Sequence, residues 1–286
     1  MLLYKPVAEL HTQKLKSDIT YFSDKHYVAI LFFGTNSSSA VYVRNKQAFA
    51  QKILPAFIFQ EYKEKNVIFE DLSQDIVRKY ENTDQVFNLI DKLNLDKRCV
   101  GIMIQMPLPD FLKDERDRLV SAVNEKKDID GLGLVGKSFA DFISFTPATP
   151  KAVMSLLDYY ELNLKSRRVA IIGQSIVVKP LALECLKRAI VQCFDISNTE
   201  QEIQECQQAE YIFSGTGVIH LVNENYVNKE KNQILVDIYH LNGKAAGDID
   251  FKSVEGIVKY ITPVPVPLTI VSLFENVISL RKNYKI

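Results

Sequence analysis

A tyrosine and a lysine lie four residues apart in Tyr42-Val43-Arg44-Asn45-Lys46. On a helix the two share one face. An amine beside an aromatic platform suits a flat, electron-poor substrate. It can also move protons, if burial or a nearby cation lowers its pKa towards the working range. By spacing alone, the pair reads equally as a solvated lysine beside a half-buried tyrosine. A second group is Gln105-Met106-Pro107-Leu108-Pro109, at the end of an apolar run. Ligands of open α/β sheets collect at the carboxyl ends of strands. A glutamine there can orient a neighbouring amine through its carbonyl oxygen, or it can simply end a strand before a rigid proline turn. In Asp128-Ile129-Asp130-Gly131, a carboxylate could accept two hydrogen bonds from an amidine-like ring edge. The other reading is an Asx-type turn. Asp248 and Asp250 fit a turn better than a metal site.

The loop Gly173-Gln174-Ser175-Ile176-Val177-Val178-Lys179-Pro180 follows an apolar run and precedes a helical pattern. Backbone N–H groups at such a helix start can meet a pyrophosphate. One glycine in place of three makes this a weak dinucleotide signal. Asp195, 22 positions after Gly173, stands near the spacing of a ribose-binding acid. Such an acid favours NAD, because the 2′-phosphate of NADP would face a carboxylate.

Elements that could hold these residues alternate along the chain, as expected of an α/β protein with parallel sheets. Strands are expected at 27–33, 67–69 and 100–105, with helices at 38–52, 71–80 and 83–93. The pattern weakens between Pro107 and Pro150. Thr149 and Pro150 then read as N-cap and N1 of a helix. Strands at 168–172, 189–194, 211–214, 234–238 and 258–261, with a helix at 180–188, give a Rossmann-like second half with a parallel sheet. An amphipathic helix closes the chain from Leu268 to Lys282. The expected domains are 1–120, joined by the C-terminal helix 268–286, and 121–267.

The chain has 286 residues, with 35 basic and 35 acidic side chains. That length is a prior for about two domains. Zero net charge argues against a general nucleic-acid or anionic-membrane binder. No apolar run approaches the ~20 residues of a membrane helix, and the N-terminus lacks the pattern of a secretory signal. Cys99, Cys185, Cys193 and Cys206 form no C-x-x-C pair, which fits reduced thiols in a cytoplasmic protein. The four histidines show no metal-ligand spacing, so no metal is expected.

Taken in order, these motifs closely resemble the methylenetetrahydrofolate dehydrogenase/methenyltetrahydrofolate cyclohydrolase family. Gly34, Ser39, Tyr42, Val43 and Lys46 match its glycine then Ser-x-x-Tyr-Val-x-x-Lys. Gly101 to Pro109 match Gly-Ile-x-x-Gln-x-Pro-Leu-Pro, and Lys127 to Gly131 match Lys-Asp-x-Asp-Gly. Thr149 to Lys151, Gly247 to Phe251 and Ile261 to Pro265 match three more. The resemblance implies two α/β domains with a cleft between them and interconversion of 5,10-methylene-, 5,10-methenyl- and 10-formyltetrahydrofolate. It makes Lys46 the catalytic lysine, positioned by Gln105, with Tyr42 stacking on the folate and Asp130 holding the pterin edge. Ser39 and Pro265 complete the substrate pocket. Gly173, Gln174, Ser175, Asp195 and Gly215 fall at the nucleotide site. The resemblance also implies NADP as cofactor and a homodimer formed through the second domain.

The departures cluster in the second half. The family's Gly-Arg-Ser-x-x-Val-Gly-x-Pro is one residue shorter here, with Gln174 for arginine and Val178 for the second glycine. Its Pro-Gly-Gly-Val-Gly-Pro-Met-Thr is reduced to Pro265-Val266-Pro267-Leu268-Thr269. Gln174 removes the cation expected at a 2′-phosphate. Three readings follow: a bifunctional enzyme with an unusual nucleotide site that prefers NAD; a cyclohydrolase with a vestigial nucleotide site; or a non-catalytic folate- or partner-binding relative.

Overall fold

The computed structural model describes residues 2–18, 26–33, 37–53, 83–133, 145–196, 199–238, 247–262 and 266–284, with the backbone alone at 37–40 and 51–53. The expected strand at 67–69 and helix at 71–80 lie outside the described residues. The chain divides into two compact units. Met1–Glu9 and Phe142–Thr269 form one, and Leu10–Asp141 and Ile270–Ile286 the other.

In the unit that begins at Leu10, β1 (Tyr27–Leu31) and β2 (Cys99–Ile104) pair in parallel, and every residue of both is buried. Strands covered on both faces carry unbroken apolar runs, as YVAIL and CVGIMI do. Helix α2 spans Ser37–Ile53 and α3 spans Thr83–Leu95. A 3-10 turn at Asp110–Glu115 leads into α4, Arg116–Ala122. The last helix, α9 (Val266–Tyr284), runs two residues beyond each end of the expected one. Helix α1, Tyr4–Asp18, has only a weak amphipathic pattern and was not expected from the sequence.

The other unit holds a five-stranded parallel sheet in the order β4-β3-β5-β6-β7. Its strands are β3 (Arg168–Ile172), β4 (Ile190–Phe194), β5 (Tyr211–Ser214), β6 (Ile234–Asp237) and β7 (Tyr260–Thr262). Alternate residues feed two cores. Val169, Ile171, Tyr211, Phe213, Ile234 and Val236 face one core. Ala170, Ile172, Ile212 and Leu235 face the other. This period-two division is what a sheet covered on both sides requires. Helices α5 (Ala148–Tyr159) and α6 (Val178–Leu186) fill the first core through Val153, Leu157, Leu181 and Cys185. Helix α7 (Glu200–Gln208) supplies Cys206 to the second. It starts at a capping box between Thr199 and Glu202, a Thr-x-x-Glu signature. The short α8 covers Phe251–Val254.

Most element ends lie within two residues of expectation, and two boundaries bear on how the units are built. Helix α5 begins at Ala148, with Pro147 in the N-cap position, so Thr149 and Pro150 sit inside its first turn. Pro147 offers its carbonyl to Lys151 N–H, and Pro150 needs no donor there. The units divide at 141/142, where the sequence pattern had placed the boundary at 120/121. The reason is that 127–129 is stitched to β2: Ile102 N–H donates to Lys127 O at 2.6 Å, and Ile129 N–H donates to Ile102 O at 3.3 Å. Residues 1–9 go with the five-stranded unit because Leu2 is in its core and donates its N–H to Ile261 O.

Lys127 secures this stitch from the side-chain end. Its Nζ donates to the carbonyls of Leu93, Asn94 and Asp96 at 2.9, 2.6 and 2.8 Å. Carbonyls at the end of α3 have no partner within the helix. A methionine at 127 keeps the apolar stem and leaves the carbonyls unsatisfied. Lys127→Met is therefore expected to lower unfolding stability by about 2–3 kcal/mol, read as a lower urea midpoint with an unchanged slope.

Candidate active site

Helix α2 presents Tyr42 and Lys46 one turn apart; Tyr42 is half-buried and Lys46 is only 5% exposed. Lys46 Nζ donates to Gln105 Oε1 at 2.6 Å and to Met103 Sδ at 3.3 Å. Gln105 directly follows β2 and continues its ladder, its N–H donating to Leu31 O at 2.8 Å. Its side-chain Nε2 donates to Met106 O at 2.7 Å. That bond leaves Oε1 aimed at the lysine and fixes which way round the amide stands. The Met106–Pro107 peptide that follows is cis. Met103 was not expected from the sequence; a thioether in an apolar strand reads as core, and only the tertiary structure brings its sulfur to an amine.

Burial pushes the Lys46 amine down from the ordinary lysine value to about 8, and the Asp130 carboxylate works against that shift. Asp130 is pushed up by burial and held down by the charge on Lys46. The two lack a direct ion pair; they act on each other through the site. An amine near 8 can hold or release a proton at physiological pH, which general base catalysis needs.

The residues on either side of Asp130 have other duties. Asp128 Oδ1 accepts Gly131 N–H at 2.8 Å and Oδ2 accepts Gly133 N–H at 2.9 Å. Gly131 takes a φ of 76°, which a side chain at that position would resist. Burial pushes Asp128 up to about 7, against the pull of these N–H groups. The two sequence readings of this motif thus divide between its carboxylates: Asp128 makes the turn, and Asp130 faces the lysine's field. Ser39 lies in α2 by its backbone, and its side chain is outside the described residues, as are Gly34 and Pro265.

In the five-stranded unit, β4 and β5 lie on opposite sides of β3. The connection reverses there, and α/β sheets bind ligands in the crevice at that point. Gly173 ends β3 with a φ of 110°, and a Cβ on it would stand 2.8 Å from Gly215 O at the end of β5. A Cβ on Gly215 would collide with Val178. Both glycines are therefore obligatory for the close approach of the two strand ends. Gln174 and Ser175 are exposed, and Ser175 forms the turn that leads into α6: its carbonyl accepts Val178 and Lys179 N–H, and its Oγ accepts Val178 N–H at 3.3 Å. Asp195 is exposed just beyond β4, beside Gly173, whose N–H donates to Phe194 O.

Asp248, fully buried, holds the loop after β5. Its carboxylate accepts Ser214 Oγ at 2.8 Å, Thr216 N–H at 2.5 Å, Thr216 Oγ1 at 2.9 Å and Gly217 N–H at 3.0 Å. Asp250 caps α8 by accepting Lys252 and Ser253 N–H. The turn reading of these aspartates describes Asp250 well. It misses the part of Asp248 in shaping the loop beside Gly215, for which no local signal exists. The residues present fit a dinucleotide: two glycines at a strand crossover, with an acid beyond the neighbouring strand.

Comparison with known proteins comes down on one family. The catalytic-domain model of tetrahydrofolate dehydrogenase/cyclohydrolase matches residues 2–130, and its NAD(P)-binding-domain model matches residues 147–285. The chain is 33% identical to the bifunctional protein FolD of Lactobacillus acidophilus, over 98% of this chain and 96% of that protein. It is similar to the crystal structure of the bifunctional dehydrogenase/cyclohydrolase FolD of Campylobacter jejuni, with a TM-score of 0.78, 27% identity, and coverage of 99% and 98%. It shares its fold with the Trypanosoma brucei enzyme solved with NADP and an inhibitor, at a TM-score of 0.78, 20% identity, and coverage of 98% and 96%.

The buried amine sets a stability expectation as well as a catalytic one. With a folded pKa of about 8 and an unfolded value of 10.5, the fold prefers the neutral amine. Below about pH 8 both states bind the proton and the fold carries the full cost of a buried ammonium. As pH rises from about 8 to 10.5 that cost disappears. Lys46→Met is therefore expected to be more stable than the parent near pH 7, by about 1–2 kcal/mol after loss of the Gln105 bond. The gain should vanish towards about pH 10.5 in thermal melts across that range. A variant less stable than the parent at pH 7 would show that Lys46 is well solvated or ion-paired.

Proposed function

The chain belongs to the tetrahydrofolate dehydrogenase/cyclohydrolase family, and on that premise we propose how its residues interconvert 5,10-methylene-, 5,10-methenyl- and 10-formyltetrahydrofolate. It is an enzyme with both activities on one chain. The observation that carries the mechanism is the buried Lys46 amine on the Gln105 carbonyl oxygen, 2.6 Å away. In the hydrolytic step, water adds to the methenyl carbon between the two ring nitrogens. The neutral Lys46 amine accepts the proton that the water loses. In the resulting carbinol the hydroxyl gives up its proton to water as the C=O forms, the C–N bond to one nitrogen breaks, that nitrogen takes the proton held by Lys46, and the formyl group remains on the other nitrogen. Gln105 takes one amine N–H and so turns the nitrogen lone pair towards the substrate. Tyr42 stacks on the folate ring, and Asp130 accepts hydrogen bonds from the pterin edge, assisted by Ser39 and Pro265.

The NAD(P)-binding domain serves the oxidative step. A bound nicotinamide supplies the acceptor for the hydride of the methylene carbon. Gly173, Gln174, Ser175, Asp195 and Gly215 hold the nucleotide. Gln174 brings no charge to a 2′-phosphate and Asp195 opposes one, so this chain uses NAD in preference to NADP. Val178, at the place of the family's second loop glycine, packs against Gly215. The cytoplasm suits the four free thiols. Purified protein should oxidise 5,10-methylenetetrahydrofolate with higher kcat/KM for NAD. Gln174→Arg should raise kcat/KM for NADP by about tenfold. A parent enzyme that prefers NADP overturns the cofactor reading. No turnover with either nucleotide, while the methenyl compound is still hydrolysed, would leave a cyclohydrolase alone.

The enzyme works as a homodimer through the edge of the five-stranded sheet. Strand β4 has no neighbour on its outer side among the described residues, and Ile190 on it is 58% exposed, with Leu186 and Ile196 exposed nearby. An apolar open edge pairs readily with a second copy. Ile190→Lys should shift the sedimentation of the protein from dimer to monomer; a parent protein that sediments as a monomer sinks this assignment.

A further inference from the structure

The turn that carries Asp130 is held from the C-terminal helix, 146 positions further along the chain. Asn276 on α9 is 1% exposed, and its Nδ2 donates to Ile129 O at 3.0 Å. That carbonyl belongs to the peptide plane joining Ile129 to Asp130. The Asp128 carboxylate, one residue before this plane, accepts the N–H groups of Gly131 and Gly133 that follow it. The peptide that enters Asp130 is therefore held by Asn276, and the turn that leaves it by Asp128. The Asp130 side chain leaves the backbone from the atom that ends this plane, so the plane sets its direction. Packing allows little slack. A Cβ on Gly101 would lie 2.7 Å from Ile129 Cγ2 and 3.4 Å from Val277 Cγ2, so β2, Ile129 and α9 meet closely here.

We propose that Asn276 is a positioning residue for Asp130, orienting from α9 the carboxylate that receives the pterin edge. This rests on the assignment of Asp130 as the pterin acceptor and Lys46 as the catalytic amine. An amide suits the task. It is uncharged, so it adds no field to the Lys46–Asp130 pair, and its donor direction is set by the helix. Its neighbours on α9 make other contacts: Glu275 pairs with His11 at 2.7 Å, and Ser279 Oγ donates to Glu275 O at 2.9 Å. The charged groups that act on the pair are Lys46, Asp130 and, from the same turn, Asp128. A purely structural asparagine would change stability and leave substrate affinity and the pH profile alone.

The test is steady-state hydrolysis of methenyltetrahydrofolate from about pH 6 to about pH 9.5. The enzymes are the parent, Asn276→Leu, Asn276→Ala, Asp130→Asn and the Asn276→Leu/Asp130→Asn double variant. Asp130→Asn should raise KM by about 10–100-fold. Asn276→Leu and Asn276→Ala should raise KM by about 3–10-fold with kcat within about twofold. Their rising pH limb should move to lower pH, because a carboxylate that has swung away no longer raises the Lys46 pKa. The double variant should match Asp130→Asn alone, since both changes act through one group. If Asp130→Asn leaves KM unchanged, the pterin assignment itself fails. If it raises KM while folded Asn276→Leu and Asn276→Ala keep the parent KM and pH profile, the role of Asn276 is overturned. Should neither fold, Asn276→Val, which lacks a donor and is smaller than leucine, is read by the same two criteria.

Discussion

The candidate active site depends on a primary amine kept out of water and held by directed acceptors. A buried ammonium is unfavourable, so the fold drives Lys46 towards neutrality, and the Gln105 carbonyl oxygen then fixes the orientation of what remains. The arrangement works because β1 and β2 are buried on both faces. That burial makes the dry wall against which α2 lays Lys46, and it places Gln105 where the strand ends. Asp130 tempers the effect. Without a negative charge in reach the amine would fall lower still.

The short motif from Lys127 to Gly131 shows how one stretch of chain meets several demands at once. Lys127 satisfies carbonyls at the end of α3, Asp128 closes the turn on two glycine N–H groups, and the Ile129 N–H extends the β2 ladder. These anchors leave Asp130 as the carboxylate whose charge acts on the lysine. Structure and catalysis are thus inseparable in this stretch, and substitutions in it should be judged by which anchor they break. The Gly247-to-Phe251 stretch of the other unit follows the same logic. Asp248 gathers the N–H and hydroxyl groups of the loop after β5, and Asp250 caps the helix that follows. Gly247 is needed because a Cβ there would run into the Asp237 carboxylate.

The nucleotide half departs furthest from its family in sequence, yet its sheet keeps the arrangement that creates a binding crevice. The order β4-β3-β5 places the reversal of strand order beside Gly173 and Gly215. What the shortened loop alters is chemistry, in the missing cation at Gln174 and the bulk of Val178, more than topology.

Much was legible from the residues alone. The strands at 168–172 and 211–214 could be read to the residue, because a sheet covered on both faces demands unbroken apolar runs bounded by polar or glycine breaks. The spacing of Tyr42 and Lys46 put them on one face, and the order of six motifs identified the family. The capping box at Thr199 and Glu202 was also written in the sequence, although the weak apolar pattern behind it hid the helix. What the tertiary structure alone decided were the partners that local pattern cannot choose: Met103 beneath the amine, Lys127 on three distant carbonyls, Asp248 on the β5 loop, and Asn276 on Ile129. The physical reason is common to all of them. Period and propensity report which way a side chain faces along its own element, whereas a hydrogen bond between elements depends on how those elements are packed, and no local stretch of sequence contains that information.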